Sequence, residues 1–394
     1  MIEAGSRDKD WKIAGAGLCG LALALGVGRF AYTPLLPMMQ ADQGMSLQTG
    51  SWLALINMFG YLLGGLSGKY LTGYPVRYAR LSFLCIVASL FGMALSSNPF
   101  LWGFWRLLAG VCSAWMMIMV SMLTLPRLLG SPRLPGLVYS GVGSGIAIAG
   151  ALCAIFVLLE LTSSTAWMAL GAASLLLGIP LWGVFRSTWD LSAVRLPARG
   201  SSGGEPAEPV NESRLWLLVV CYGLYGFGYI LPATYLPAQA RLLLEQSWTY
   251  SLAWPVFGVA AALSTLVASV VAARMGLLTT WLYAQILLLI GVLTPIAVGN
   301  MAGILFASLC VGGTFVVITL VAMQEANRRA KAQLGIWMAR LTAAFALGQV
   351  LGPAAIVLLR GRLESGLWLA AAALLIASLA LGWQARQDSQ VSRR

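Results

Sequence analysis

The chain has 394 residues, of which 59% are hydrophobic and only 10% charged, and its mean hydropathy is +0.82. A soluble domain carries roughly 25% charged residues, so this composition excludes an ordinary water-facing surface. The formal charge of +12 does not indicate nucleic acid as a partner, because the basic residues stand singly between apolar runs and form no stripe or arm. There is no histidine, which removes the commonest metal ligand and proton shuttle near neutral pH. Cys19, Cys85, Cys112, Cys153, Cys221 and Cys310 all fall inside apolar runs without a CxxC pair. No disulfide, metal site or cofactor is therefore expected. The first apolar run, from about Ile13, is too long for a signal peptide's apolar region, so no cleavable signal is expected.

A membrane span needs about 20 mostly apolar residues. In chain order, such runs fall near 13–38, 47–71, 79–97, 100–124, 136–159 and 166–186. A polar stretch containing ARGSSGGEPAEPVNES follows, and further runs fall near 215–238, 248–272, 277–298, 300–322, 334–358 and 365–384. Each run is too long for a strand, and a helix satisfies its own backbone in lipid. The predicted fold class is an all-α integral membrane protein of twelve transmembrane helices. Its domains are a six-helix bundle over 1–186, a cytoplasmic linker over 187–213 and a second six-helix bundle over 214–394.

Positive charge orients such a bundle, because cytoplasmic loops carry an excess of Lys and Arg. With both termini in the cytoplasm, nineteen of the 25 basic residues lie on that side, and only Arg241, Arg360 and Arg362 lie on the other. Arg29, Arg106 and Arg340 fall inside spans. A wrong span count would scramble this alternation, so the asymmetry supports twelve spans. The expected location is the bacterial cytoplasmic (inner) membrane.

The halves repeat. Span one reads Gly26-Val27-Gly28-Arg29-Phe30-Ala31-Tyr32-Thr33-Pro34-Leu35-Leu36-Pro37, and span seven reads Gly226-Phe227-Gly228-Tyr229-Ile230-Leu231-Pro232-Ala233-Thr234-Tyr235-Leu236-Pro237. Span four carries Phe104-Trp105-Arg106-Leu107-Leu108-Ala109-Gly110, and span ten carries Phe306-Ala307-Ser308-Leu309-Cys310-Val311-Gly312. Ser308 takes the place of Arg106. Two parallel halves related by an axis along the membrane normal can rock about a site between them.

This plan resembles the major facilitator superfamily across essentially the whole chain. The run Arg106-Leu107-Leu108-Ala109-Gly110-Val111-Cys112-Ser113-Ala114 resembles that superfamily's RxxxGxxxA signature. The loop after span two fits the superfamily's GxxxD-R/K-x-G-R/K pattern loosely through Gly64, Lys69 and Arg77, with Gly68 where the aspartate belongs. The second-half loop Ala273-Arg274-Met275-Gly276 likewise lacks the acid. The span-one and span-seven runs, with Thr342–Pro353, look most like the YbfB/YjiJ-type subgroup. The resemblance implies the fold and a transport role, and supplies no substrate. It implies that spans one and four line a central cavity, and that spans two and eleven, and five and eight, face each other across the domain interface.

Polar residues inside spans are the candidate site. An ionisable group at the centre of a span costs at least about 2.5–3.5 kcal/mol on insertion scales. Arg29 and Arg106 lie at similar depth in the outer half of the membrane, and a guanidinium fork matches a carboxylate or phosphate. One reading is a cationic patch for an anionic group. For Arg106, the alternative is a bond to span-one carbonyls. Tyr32 and Thr33 share the face of Arg29. Asn57 and Tyr61 share a face of span two, Tyr222, Tyr225 and Tyr229 a face of span seven, and Thr342 and Gln349 a face of span eleven. These polar groups favour interior over lipid, either lining a substrate site or bonding helix to helix. No acid lies deep in a span. Glu325, paired with Arg340, is the candidate for coupling, against the plainer reading of a solvated acid and a snorkelling Arg. Lys69 and Arg274 are gating candidates.

The glycine ladders Gly60–Gly64–Gly68, Gly141–Gly145 and Gly348–Gly352 offer close helix approach and are the expected sliding surfaces. Pro34, Pro37, Pro232 and Pro237 are expected to bend or end spans one and seven near the outer surface.

The function expected is a secondary transporter moving a small organic, anionic or amphipathic solute by alternating access, as a monomer in the lipid bilayer. Protons are the candidate coupling ion. The rivals are a proton-coupled exporter of hydrophobic compounds and a non-transporting membrane sensor. An enzyme is not expected, since no catalytic His, metal cluster, phosphate-cradling loop or GxSxG is present.

Overall fold

The computed structural model describes residues 2–185, 212–243, 253–298, 300–330, 333–359 and 363–391. The first half contains α1 (Ile2–Leu21), a π-helical turn (Ala22–Val27), α2 (Tyr32–Asp42), α3 (Leu47–Gly68), α4 (Pro75–Leu95), α5 (Pro99–Thr124), α6 (Leu134–Leu158) and α7 (Ser163–Val184). The second contains α8 (Glu212–Leu243), α9 (Ala253–Met275), α10 (Leu277–Ala297), α11 (Met301–Ala330), α12 (Leu334–Leu358) and α13 (Leu363–Val391). Together, α1, the π turn and α2 make one passage, so the described residues make twelve. Eleven of the twelve are long and apolar enough to cross a membrane. The remaining passage, α3, carries Asn57, Tyr61 and five glycines, which lower its hydropathy, and it packs between α5 and α12. The expected linker 187–213 lies outside the described residues, except for Glu212 and Ser213, which begin α8.

Short polar residues start the helices. The Ser46 hydroxyl accepts from the Thr49 amide at 3.1 Å, and the Asn98 side chain accepts from the Phe100 amide at 2.8 Å ahead of α5. Each satisfies one of the four donors that a helix start leaves open. Pro75 and Pro99 stand at first positions, where no amide donor is needed. The prolines of span seven do not end it, because α8 runs helically through Pro232 and Pro237.

Span one is broken instead upstream of its prolines. The Gly28 amide donates to Leu23 O at 2.7 Å and the Phe30 amide to Leu25 O at 3.1 Å, both skipping five residues. A close approach accompanies the break: Gly26 lies against the backbone of Gly145 in α6, where neither residue has room for a Cβ. Helix α5 satisfies the carbonyls freed by this distortion. The Ser113 hydroxyl donates to Ala24 O at 2.7 Å, and Arg106 donates to Gly28 O and Arg29 O at 3.1 and 3.2 Å. Irregular backbone at membrane depth requires such partners.

The small-residue ladders hold each half together. Gly60 and Gly64 pack on the Leu107 and Val111 backbone of α5, Gly141 and Gly145 on α1 and the π turn, and Gly348 and Gly352 on α8. The surfaces between halves use mainly other glycines, together with the ladder's last member, Gly68. Gly65 meets the Ala343 backbone, Gly68 the Ala339 side chain, and Gly335 meets Thr72 and Met122. On the other side, Gly143 and Gly258 let α6 and α9 touch backbone to backbone, Gly150 meets Pro255, and the Gly136 amide donates to the Ser269 hydroxyl at 3.1 Å. Gly64 and Gly352 therefore lie inside halves rather than on a sliding face. One helical face packs α3 on α5, and the next residue round faces α12.

Candidate functional site

The broken turn of span one delivers Arg29 to the junction of the two halves. Its residue is 6% exposed. One terminal nitrogen, Nη2, donates to Oε1 of Gln349, which comes from α12 across the interface. The guanidinium carbon lies 4.3 Å from the Tyr61 ring centroid and 5.3 Å from that of Phe30. These ring faces give a cation an attractive, water-poor surround. No carboxylate lies within ion-pair distance of Arg29 among the described residues.

Opposite Arg29 stands an aromatic wall from the second half. Tyr222 and Tyr225 each stack on Phe345 at 5.2 Å, and Tyr229 stacks on Phe315 at 5.2 Å. Phe315 continues to Phe257 at 5.3 Å, and Phe257 lies flat on Trp254 at 5.3 Å and 5°. Phe30 of the first half closes edge-on against Phe315 at 6.0 Å. Two hydroxyls of the wall are spent on α11: Tyr225 donates to Phe315 O at 2.7 Å, and Tyr222 bonds Thr319 at 3.1 Å.

The expected substrate residues thus divide into two sets. Arg29, Tyr61, Tyr225, Tyr229 and Gln349 converge. Arg106, Tyr32 and Asn57 form the support beneath them. Arg106 spends both terminal nitrogens on span-one carbonyls and lies 4.6 Å from the Tyr32 ring. Tyr32 donates to Gly50 O at 2.9 Å, and Asn57 donates to Arg106 O at 2.8 Å. Of the two arginines, Arg29 reaches across the junction to the second half, while Arg106 keeps both terminal nitrogens within the first half and its Nε is buried without a hydrogen-bond partner. Thr33 is exposed, away from this centre. Thr342 bonds its own helix at Met338 O. Missing from the sequence reading were Phe30, Trp254, Phe257, Phe315 and Phe345. Apolar aromatic residues carry no polar signal inside a span, and only the Tyr222–Tyr225–Tyr229 stripe pointed to the wall.

The coupling candidates lie elsewhere. The Glu325 side chain is fully buried at the end of the second half that carries the C-terminus, held by Arg328 at 2.6 Å and by Arg329. Arg329 also pairs with Asp388 of α13, and Asp388 with Arg214 of α8 at 2.8 Å. Arg340 is not its partner. That guanidinium lies over Trp337 and Trp216, at 4.3 and 4.9 Å. Lys69 and Arg274 are exposed at the ends of α3 and α9. No cluster of metal-binding side chains occurs among the described residues.

Residues 21–381 of this chain match a family model described as "Uncharacterised MFS-type transporter YbfB". The chain belongs to the YbfB-type family of major facilitator superfamily transporters. It is a multi-pass membrane transporter by family and by fold. Its fold is similar to that of the human organic anion transporter MFSD10 (TETRAN), with a TM-score of 0.70 and 15% identity over 94% of this chain and 99% of that one. No curated protein matches it in sequence.

Proposed function

We propose that this YbfB-type transporter is a secondary active carrier that moves a small organic anion by alternating access, with Arg29 as the solute's anchor. The carrying observation is Arg29 itself: a buried cation between the halves, facing aromatic rings, without an acid among the described residues. An unpaired charge in such a place is costly, and charged groups held inside the membrane mark solute pathways. An anion supplies the missing charge. The MFSD10 likeness, at 15% identity, carries the fold and leaves the ligand to this argument.

Motion follows from the two glycine-lined seams, α3 with α12 and α6 with α9. Backbones in contact without interlocking side chains slide at low cost, so the halves rock while each stays rigid. The Thr72–Gly335 contact closes the end that carries both termini, which the charge pattern assigns to the cytoplasm of a bacterial inner membrane. The protein acts as a monomer, performs no covalent chemistry, and takes no proton through Glu325, whose carboxylate is already held by two arginines.

The test is transport in proteoliposomes loaded with a panel of radiolabelled carboxylates. Saturable flux of at least one organic anion supports the reading. Flux of neutral or cationic solutes alone, driven by a proton gradient, favours the hydrophobic-compound exporter, to which the aromatic wall of Tyr222, Tyr225, Tyr229, Phe315 and Phe345 is also suited.

A further inference from the structure

Gln349 is fully buried and holds its carboxamide against Arg29 across the seam between halves. Its oxygen must be the atom that faces the guanidinium, since Arg offers donors only. Its Nε2 is then left buried without a hydrogen-bond partner. A buried donor without an acceptor is rare and needs an explanation. Here the geometry has a simple one: the carboxamide oxygen occupies the guanidinium fork as one oxygen of a carboxylate would, and the amide nitrogen beside it awaits the other.

We infer that the ligand is a flat aromatic monocarboxylate. Its carboxylate displaces Gln349 Oε1 from Arg29, and its second oxygen accepts from Gln349 Nε2, while its ring joins the aromatic wall. This inference rests on Arg29 being the solute anchor.

Three features select that chemistry. The first is charge. Arg106 holds both terminal nitrogens on the Gly28 and Arg29 carbonyls, whereas Arg29 turns a terminal nitrogen to the seam, so one carboxylate is the charge that this seam can receive. A second carboxylate would be buried without a partner. The second is shape. Tyr229 lies at 15° to Phe315, Phe345 stacks on both Tyr222 and Tyr225, and Phe257 lies at 5° to Trp254. A planar ring extends such stacks, and an aliphatic body does not. The third is the bridge. Arg29 belongs to the first half and Gln349 to the second, so one carboxylate bonds both and favours their closed arrangement. A neutral amide leaves the Arg29 charge unmatched.

The experiment uses the full-length protein in lipid nanodiscs, titrated with benzoate, indole-3-acetate, cyclohexanecarboxylate, benzamide and phthalate, read by tryptophan fluorescence and thermal unfolding. Benzoate and indole-3-acetate are expected to bind about ten-fold or more tightly than cyclohexanecarboxylate, with benzamide and phthalate silent. Gln349→Glu places the chain's own carboxylate on Arg29. It should raise the unfolding temperature and abolish benzoate binding. Gln349→Ala, which removes both the competitor and the second donor, should still bind benzoate. Equal affinity for benzoate and cyclohexanecarboxylate, or undiminished benzoate binding by folded Gln349→Glu, overturns the inference. If monocarboxylates of both kinds bind equally and only while Arg29 is present, the aromatic inference falls and the anion reading stands. If no carboxylate binds at all, both fall.

Discussion

Arg106 donates to the backbone carbonyl of Arg29 at 3.2 Å, so one buried arginine holds the peptide that presents the other. The two side chains look alike in the sequence and have opposite relations to stability. Arg106 completes the hydrogen bonding of a broken helix. Neither has an acid partner among the described residues, but Arg29 holds no broken backbone together and instead reaches Gln349 of the other half.

Replacing them should therefore shift stability in opposite directions. Arg106→Ala removes two charge-assisted bonds, each worth about 1.5–3 kcal/mol, and strands two buried carbonyls. Its unfolding temperature in detergent should fall by several degrees. Arg29→Gln removes an unmatched charge and should leave the unfolding temperature unchanged or raised. Tryptophan-monitored melting of both variants checks the pair.

The seams between halves make a second distinction. Gly65→Val intrudes on the Ala343 backbone of the other half, and Gly143→Val on the Ala262 backbone. Both should depress flux strongly while the separate halves keep their packing. Gly64→Val drives a branched side chain into the Val111 carbonyl within its own half. It should cost about 1–3 kcal/mol of stability through overpacking. Comparing flux per folded molecule with melting temperature separates the two outcomes.

How much of this was legible follows from what each residue signals. Hydropathy and charge alternation show the helices, because lipid leaves the chain few options. The offset between Gly26 and Gly226 shows the repeat. The π turn is invisible in the same motif, since GxG occurs in both halves and each packs on a glycine of a neighbouring helix, Gly26 on Gly145 and Gly226 on Gly348, yet span one alone is broken. Once that turn is seen, the exchange of Arg106 for Ser308 is explained: α8 is unbroken, and Ser308 merely bonds its own Ile304 carbonyl. The ladders showed close packing but not the partner, because glycines one residue apart face different helices. Glu325 and Arg340 sat at the same membrane end without touching, and their true partners, Arg328, Arg329 and the two tryptophans, depend on helix rotation.

The proposed closure between Thr72 and Gly335 can be tested by trapping it. Thr72 and Gly335 lie in contact across the halves, so Thr72→Cys with Gly335→Cys should cross-link under a mild oxidant. Cross-linking should stop flux, and a reductant should restore it. Continued flux with the bridge intact would show that this end does not open.

The ion cluster gives a contrasting result. Glu325→Gln loses the buried negative centre that binds Arg328 and Arg329, a loss softened by the exposure of Arg328 and by the Asp388 carboxylate that remains beside both. Melting should drop, while the pH dependence of flux keeps its wild-type form. An unchanged melting point with a lost pH dependence would instead make Glu325 a coupling group.

The most direct measurement is accumulation of a radiolabelled carboxylate in proteoliposomes carrying either the wild-type protein or Arg29→Gln at equal, verified folded density. The account predicts that every anion carried by the wild type falls by about ten-fold or more in the variant, with its melting temperature maintained. Undiminished transport of an accepted anion by Arg29→Gln would contradict it.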